Sequence, residues 1–176
     1  MRSISIERVK ELLSYDATTG LFTWRVSVAN HVKSGHLAGG LDTVSNYHRI
    51  TLDGVCIRSH RIAWVFISGD WPKNFIDHIN GDRSDNRAVN LRNATRSQNA
   101  QNMKMHLDKK VLFKGVTPYL RKRGGYLAQI VINGKQHKIG IFDTAIEAHL
   151  AYKFEAEKNF GAYAKTDCKN LGVLQS

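Results

Sequence analysis

Apolar positions change their spacing several times along this chain, and each change predicts an element. Ile6, Val9, Leu12 and Leu13 recur at helical spacing behind Ser5, a suitable cap, which predicts a short helix over residues 5–14. Residues 16–20 carry turn chemistry, and residues 21–26 read as a strand. Residues 31–40 are polar with three glycines and read as an extended loop. Two alternating runs then flank Asp53-Gly54, which predicts a hairpin over residues 47–58. Ser59 is placed to cap an apolar helix over residues 60–68, closed by Gly69. After Trp71-Pro72 comes the apolar run Phe75-Ile76, which ends in Asp77-His78. A loop rich in Asp, Asn and Ser fills residues 80–90. A second extended piece, residues 91–95, leads into a helix that Thr95 can cap, with Gln98 closing a capping box.

That last stretch reads as strand, loop, strand, helix. It would bring Asp77, His78 and Asn99 together across twenty-two positions of chain. A carboxylate and an amide oxygen are hard ligands, suited to Mg²⁺ or a similar cation that keeps several waters. An imidazole beside them can take a proton from water. Metal, base and phosphate are the parts of phosphodiester hydrolysis. The bland alternative is a buried structural cluster. The spacing of an EF-hand loop fails, because Gly81 is misplaced and no Glu closes the loop. Local hydrogen bonding is therefore the expected work of Asp85, Asn86 and Asn90. Arg92 and Arg96 flank the site, and Arg96, at a helix start, is the choice for stabilising the phosphate. His60 reads either as a core histidine or as a neighbour of the site. Arg25, Lys33 and His36 read either as solvated loop residues or as phosphate contacts.

The run Asp-His-Ile-Asn-Gly-Asp-x-x-Asp-Asn-x-x-x-Asn-Leu-Arg from Asp77 to Arg92 resembles the HNH nuclease family, whose fold is a ββα-metal motif. The resemblance implies that Asp77 and Asn99 are ligands of one Mg²⁺ or Mn²⁺, that His78 is the general base, and that Asn90 braces the loop. Asn99 stands where the family's third signature position holds His, a variant similar to some phage homing nucleases. A 5′-phosphate and a 3′-hydroxyl product are implied as well.

From Phe113 the register changes. One strand is predicted to begin at residues 113–116. A second over 126–132 and a third over 135–142 are joined by the Asn133-Gly134 turn. Asp143 or Thr144 caps a helix over 145–158, with Ala145, Ala148 and Ala151 on its packing side. Lys114-Gly115-Val116, residues 126–130, residues 139–145, Glu147-Ala148, Ala151-Tyr152 and Phe160-Gly161 resemble the Apetala/ethylene-response DNA-binding domain. There the sheet enters the major groove. Alternation then points Ala128 and Ile130 to the helix, with Gln129, Val131, Gln136 and Lys138 opposite. Where plant members carry Arg and Trp for base reading, this chain holds Thr117, Val131, Gln136 and Lys138. The DNA-facing candidates are Lys114, Tyr119, Arg121, Lys122, Gln129, Gln136 and Lys138, with the two glutamines reaching base edges.

Charge sharpens this picture. The chain of 176 residues carries a net charge of +11. Residues 103–140 hold nine Lys/Arg against one Asp. Such an excess suits a polyanion, because neutralised phosphates release counterions. Cys56 and Cys168 form no CxxC pair and read as free thiols in a reducing compartment. With no apolar run long enough to span a membrane and no signal-peptide pattern, a soluble intracellular protein is expected. The expected fold is α+β. A nuclease module would cover residues 1–102 (leading segment 1–46, core 47–102), with a linker over 103–112 and the sheet-and-helix domain over 113–176. The expected function is a metal-dependent endonuclease of double-stranded DNA, phage-encoded, acting as a monomer in the bacterial cytoplasm. The alternatives are a non-catalytic DNA-binding protein with a degenerate nuclease fold, and an RNA-binding protein.

Overall fold

The computed structural model describes residues 4–102, 113–120 and 124–166. Among these the chain is α+β, with four α-helices and small antiparallel sheets. Two compact units separate at Ala94 and Thr95. The linker expected at residues 103–112 lies outside the described residues, as does Cys168.

The first unit opens with α1 (Ile6–Leu12), and the Ser5 hydroxyl accepts from the Arg8 N–H at 3.2 Å. The helix stops before the expected residue 14, because Leu13 starts β1 (Leu13–Tyr15). β1 pairs antiparallel with β2 (Phe22–Trp24), Leu13 opposite Trp24. Helical spacing at Leu12 and Leu13 therefore reflected two buried neighbours, one on each side of a helix end. A three-stranded sheet follows in the order β3 (Gly40–Asp42), β4 (Tyr47–Leu52), β5 (Val55–Arg58). The β4–β5 turn has positive φ at both Asp53 (46°) and Gly54 (80°), as a primed two-residue turn requires.

Next comes α2 (Ser59–Ser68), ended by Gly69 at φ 81°. Ser59 does not cap it. Arg58 is the N-cap and makes no side-chain cap bond, while Ser59 lies inside the helix with its hydroxyl 3.1 Å from His48 Nδ1. Burial of Ser59 against β4 draws its oxygen away from the helix end. Then β6 (Phe75–His78) pairs antiparallel with β7 (Leu91–Ala94). Ile76 and Leu91 place this hairpin in one core with Val9, Leu13, Phe22, Ile50, Leu52 and Ile62. Each such buried side chain contributes roughly 1.5–3 kcal/mol, so the loop between β6 and β7 hangs from a well-anchored base.

The leading segment supports that loop directly. Tyr15 packs on Phe22 at 4.8 Å, and its hydroxyl donates to the Asn86 carbonyl at 2.7 Å. The Ala88 N–H donates to the Ala17 carbonyl at 2.9 Å. Gly20 presses against the same place, where a Cβ would sit 2.5 Å from the Arg87 nitrogen and 2.6 Å from the Asn86 carbonyl carbon.

In the second unit, α3 (Arg96–Asn102) starts with the expected capping box. The Thr95 N–H donates to Gln98 Oε1 at 2.8 Å, and the Gln98 N–H to Thr95 Oγ1 at 3.3 Å. Gln101 on α3 receives the Tyr152 hydroxyl at 3.0 Å and donates to the Val131 carbonyl at 3.2 Å. The sheet runs in the order β10 (Lys135–Phe142), β9 (Tyr126–Ile132), β8 (Val116–Pro118). β8 starts later than expected, because the Val116 N–H closes a turn on the Phe113 carbonyl at 3.2 Å. The Thr144–Glu147 capping box begins α4 (Ala145–Phe160). Ala148, Tyr152, Ala156 and Phe160 line its buried side, and Ala128 and Ile130 lie beneath on β9.

Gly20→Ala should lower stability by about 2–4 kcal/mol, combining left-handed strain with backbone overlap. Gly54→Ala, with positive φ but open space, should cost only about 1 kcal/mol. Urea unfolding of both variants checks this, and equal losses would remove the buttressing role of Gly20.

Candidate active site

Asp77 and His78 are the last two residues of β6, at 5% and 4% exposure. Asp77 lies opposite Arg92 on β7, and both Nε and Nη2 of Arg92 stand 2.9 Å from Asp77 Oδ2. A carboxylate this buried requires such a partner, and the guanidinium holds it in one orientation.

His78 faces the loop. Its Nε2 lies 3.4 Å from Asn86 Oδ1, and the His60 ring meets it edge to face at 5.0 Å. Tyr47 stands by both imidazoles, at 5.1 Å from His60 and 6.0 Å from His78. Burial, foremost, pushes His78 below the usual histidine range, opposed by Asn86 and the nearby acids. His60 is pushed down to about 3, by burial first and by His78 next. Both rings are thus neutral near pH 7, and a neutral imidazole can accept a proton.

Asn90 ties the ends of the loop together. Its side-chain oxygen accepts from the Asn80 N–H at 3.0 Å, and its amide donates to the Asp85 carbonyl at 2.8 Å. Its own carbonyl receives the Ile79 N–H at 2.9 Å. Asp85 is paired with Arg87 at 2.7 Å and held at about 2, chiefly by that arginine. Asn86 donates to the Ser84 carbonyl at 3.2 Å. The local hydrogen bonding expected of Asp85, Asn86 and Asn90 is therefore present.

Asp77, His78 and Asn90 thus come together within the first unit. Asn99 and Arg96 are placed on α3 of the second, Arg96 exposed at its first position and Asn99 half-buried. Among the described residues no group of three or more His, Cys, Asp and Glu could hold a metal. A cation here would depend on the Asp77 carboxylate with amide oxygen, water and phosphate, a hard donor set that fits Mg²⁺ or Mn²⁺. Arg25 donates to the Lys10 carbonyl at 2.9 Å, and His36 Nδ1 lies 3.5 Å from the Lys33 N–H.

In the second unit Gln129 pairs with Lys138, and Val131 with Gln136. Directly opposed residues share a face, so these four lie together, away from buried Ala128 and Ile130. Lys138 Nζ sits 5.9 Å from the centroid of the Tyr119 ring. Lys114, half-buried, is placed near the start of this unit. Its ammonium donates to the Gln101 carbonyl, and also to that of Lys165 at 3.3 Å. Arg121 and Lys122 lie outside the described residues.

Residues 58–101 match the family model described as HNH endonuclease. They span α2, the β6–β7 hairpin and nearly all of α3. A protein of Acanthamoeba polyphaga mimivirus, named as an uncharacterized HNH endonuclease, is 34% identical over 107 residues, 60% of this chain and 54% of that one. The chain thus spans about half the length of this curated relative. A solved structure described as DNA binding and cleavage by the HNH homing endonuclease I-HmuI is 18% identical, covers 90% of both chains and has a TM-score of 0.43.

The placement of His60 was open in the sequence, and that of Tyr47 carried no signal, since only the folded arrangement of β4, α2 and β6 brings these rings to His78. In the unfolded chain His60 protonates below its ordinary value of 6.5, but in the fold only near 3. Between those values the unfolded state binds more protons, so stability falls as pH drops through that window. Wild type should lose about 2 kcal/mol more than His60→Phe between pH 7 and pH 5, read from urea midpoints at both pH values. Equal losses would show that His60 is not held neutral.

Proposed function

We propose that this chain is a divalent-metal-dependent endonuclease that hydrolyses phosphodiester bonds of double-stranded DNA. The observation that carries this is the buried Asp77–His78 pair on β6, in a hairpin whose loop Asn90 closes, within the stretch that matches the HNH model. Asp77 and Asn99 would hold one Mg²⁺ or Mn²⁺, which supplies Lewis acidity at the scissile phosphate and the leaving oxygen. His78, neutral through burial, takes the proton of the attacking water. Asn90 keeps the loop closed around it, and Arg92 fixes the Asp77 carboxylate. Arg96 offsets charge on the phosphate as it builds. The products are a 5′-phosphate and a 3′-hydroxyl.

The second unit, read as an Apetala/ethylene-response-type domain, supplies site affinity. Gln129 and Gln136 reach base edges, while Lys138 and Tyr119 contact the backbone beside them. Arg121 and Lys122 join this set by charge. One cutting module and one reading face suit a monomer on an asymmetric site, as in a phage homing endonuclease acting in the host cytoplasm. No described helix is long and apolar enough to cross a membrane.

A second reading, a non-catalytic DNA-binding protein, draws on the ion pair that already neutralises Asp77. Plasmid cleavage with Mg²⁺ and with EDTA separates the two. Wild type should nick or linearise plasmid only with the metal, and His78→Ala should cut about 10²–10⁴-fold more slowly while still binding duplex. Intact DNA after wild-type treatment with Mg²⁺, or undiminished cutting by His78→Ala, would overturn the reading.

A further inference from the structure

The arginines of the first unit divide into distinct groups. Arg8 is paired with Asp53, Arg49 with Asp42, Arg87 with Asp85 and Arg92 with Asp77. Arg25, Arg58, Arg61 and Arg83 have no carboxylate partner among the described residues; Arg25 donates to the Lys10 carbonyl and Arg61 to that of Pro72, while Arg58 and Arg83 converge on one aromatic ring. The Arg58 guanidinium carbon lies 4.4 Å from the Tyr47 ring centroid, and that of Arg83 lies 5.0 Å from it. Arg83 also donates to the Ser45 carbonyl at 3.3 Å, which steadies it there.

Two like charges gathered on one ring repel each other unless an anion joins them. Nothing acidic is supplied nearby on α2, whose first turn has no acidic residue and whose N-cap, Arg58 itself, makes no side-chain bond. The unpaired backbone N–H groups of a helix's first turn also favour an anion. Tyr47 is also the ring that borders His60 and His78. One ring thus touches both guanidiniums and borders the imidazole assigned as the base. Arginine stacked on an aromatic ring keeps its N–H fork pre-organised for a phosphate oxygen pair.

We propose that Arg58 and Arg83, held over Tyr47, clamp a backbone phosphate of the bound DNA strand beside the phosphate being cut. The clamp rests on the endonuclease reading for its partner, and its test is separate. The full chain is titrated onto a labelled DNA duplex in EDTA over a series of salt concentrations. Arg58→Gln and Arg83→Gln should each lower the slope of log affinity against log salt by about one. Tyr47→Phe, which keeps the ring, should preserve the slope, and Tyr47→Leu should lower it. Arg8→Gln removes one charge from a paired arginine and should leave the slope unchanged.

Wild-type slopes in both clamp variants would overturn the proposal, as would an equal loss in Arg8→Gln, which would mark a net-charge effect alone. Because EDTA prevents metal-dependent cutting, the outcomes separate. An unchanged slope with Mg²⁺-dependent cleavage intact sinks only the clamp. A lowered slope with no cleavage sinks only the endonuclease reading. No duplex binding by wild type would overturn both.

Discussion

A carboxylate and an imidazole, successive in one four-residue strand, are both almost fully buried, and much of the first unit follows from satisfying them. Removal from water leaves each polar atom in need of a partner. Arg92 meets the carboxylate from the paired strand, and Asn86 meets the imidazole from the loop. The loop must then keep its shape, which Asn90 secures at both of its ends. Tyr15 and Gly20 press the leading segment against its far side. Residues 4–46 thus reach the site through packing.

Local chemistry was the part of this fold that the chain announced. Asp53-Gly54 and Asn133-Gly134 adopt the positive φ values their residue types favour, and Thr95 and Thr144 close capping boxes with partners three residues on. Alternation on β9 separated Ala128 and Ile130 from Gln129 and Val131. What misled was local pattern overridden by tertiary contact. Leu13 continued a helical spacing but pairs with Trp24 in a sheet. Ser59 had the chemistry of a cap but is buried beside His48. In each case a residue far along the chain decided the outcome, and no local window contains it.

The candidate site divides in the same way. Asp77, His78 and Asn90 could be named from their run of residues, because β6, the loop and β7 are contiguous. The ring cluster of Tyr47, His60 and His78 could not, since it draws on β4, α2 and β6. Burial within that cluster is what holds the imidazoles neutral. The neutrality of these rings is therefore a property of the core, not of the motif alone.

The proposed hydrolysis depends most on the assignment of Asp77 and Asn99 as ligands of a divalent ion. Electron paramagnetic resonance of Mn²⁺ titrated into the full chain with bound DNA duplex tests it most directly. One protein-bound Mn²⁺ per chain is expected, weakened or lost in both Asp77→Asn and Asn99→Ala while the duplex remains bound. Mn²⁺ binding that is absent in wild type, or indifferent to either substitution, would contradict it.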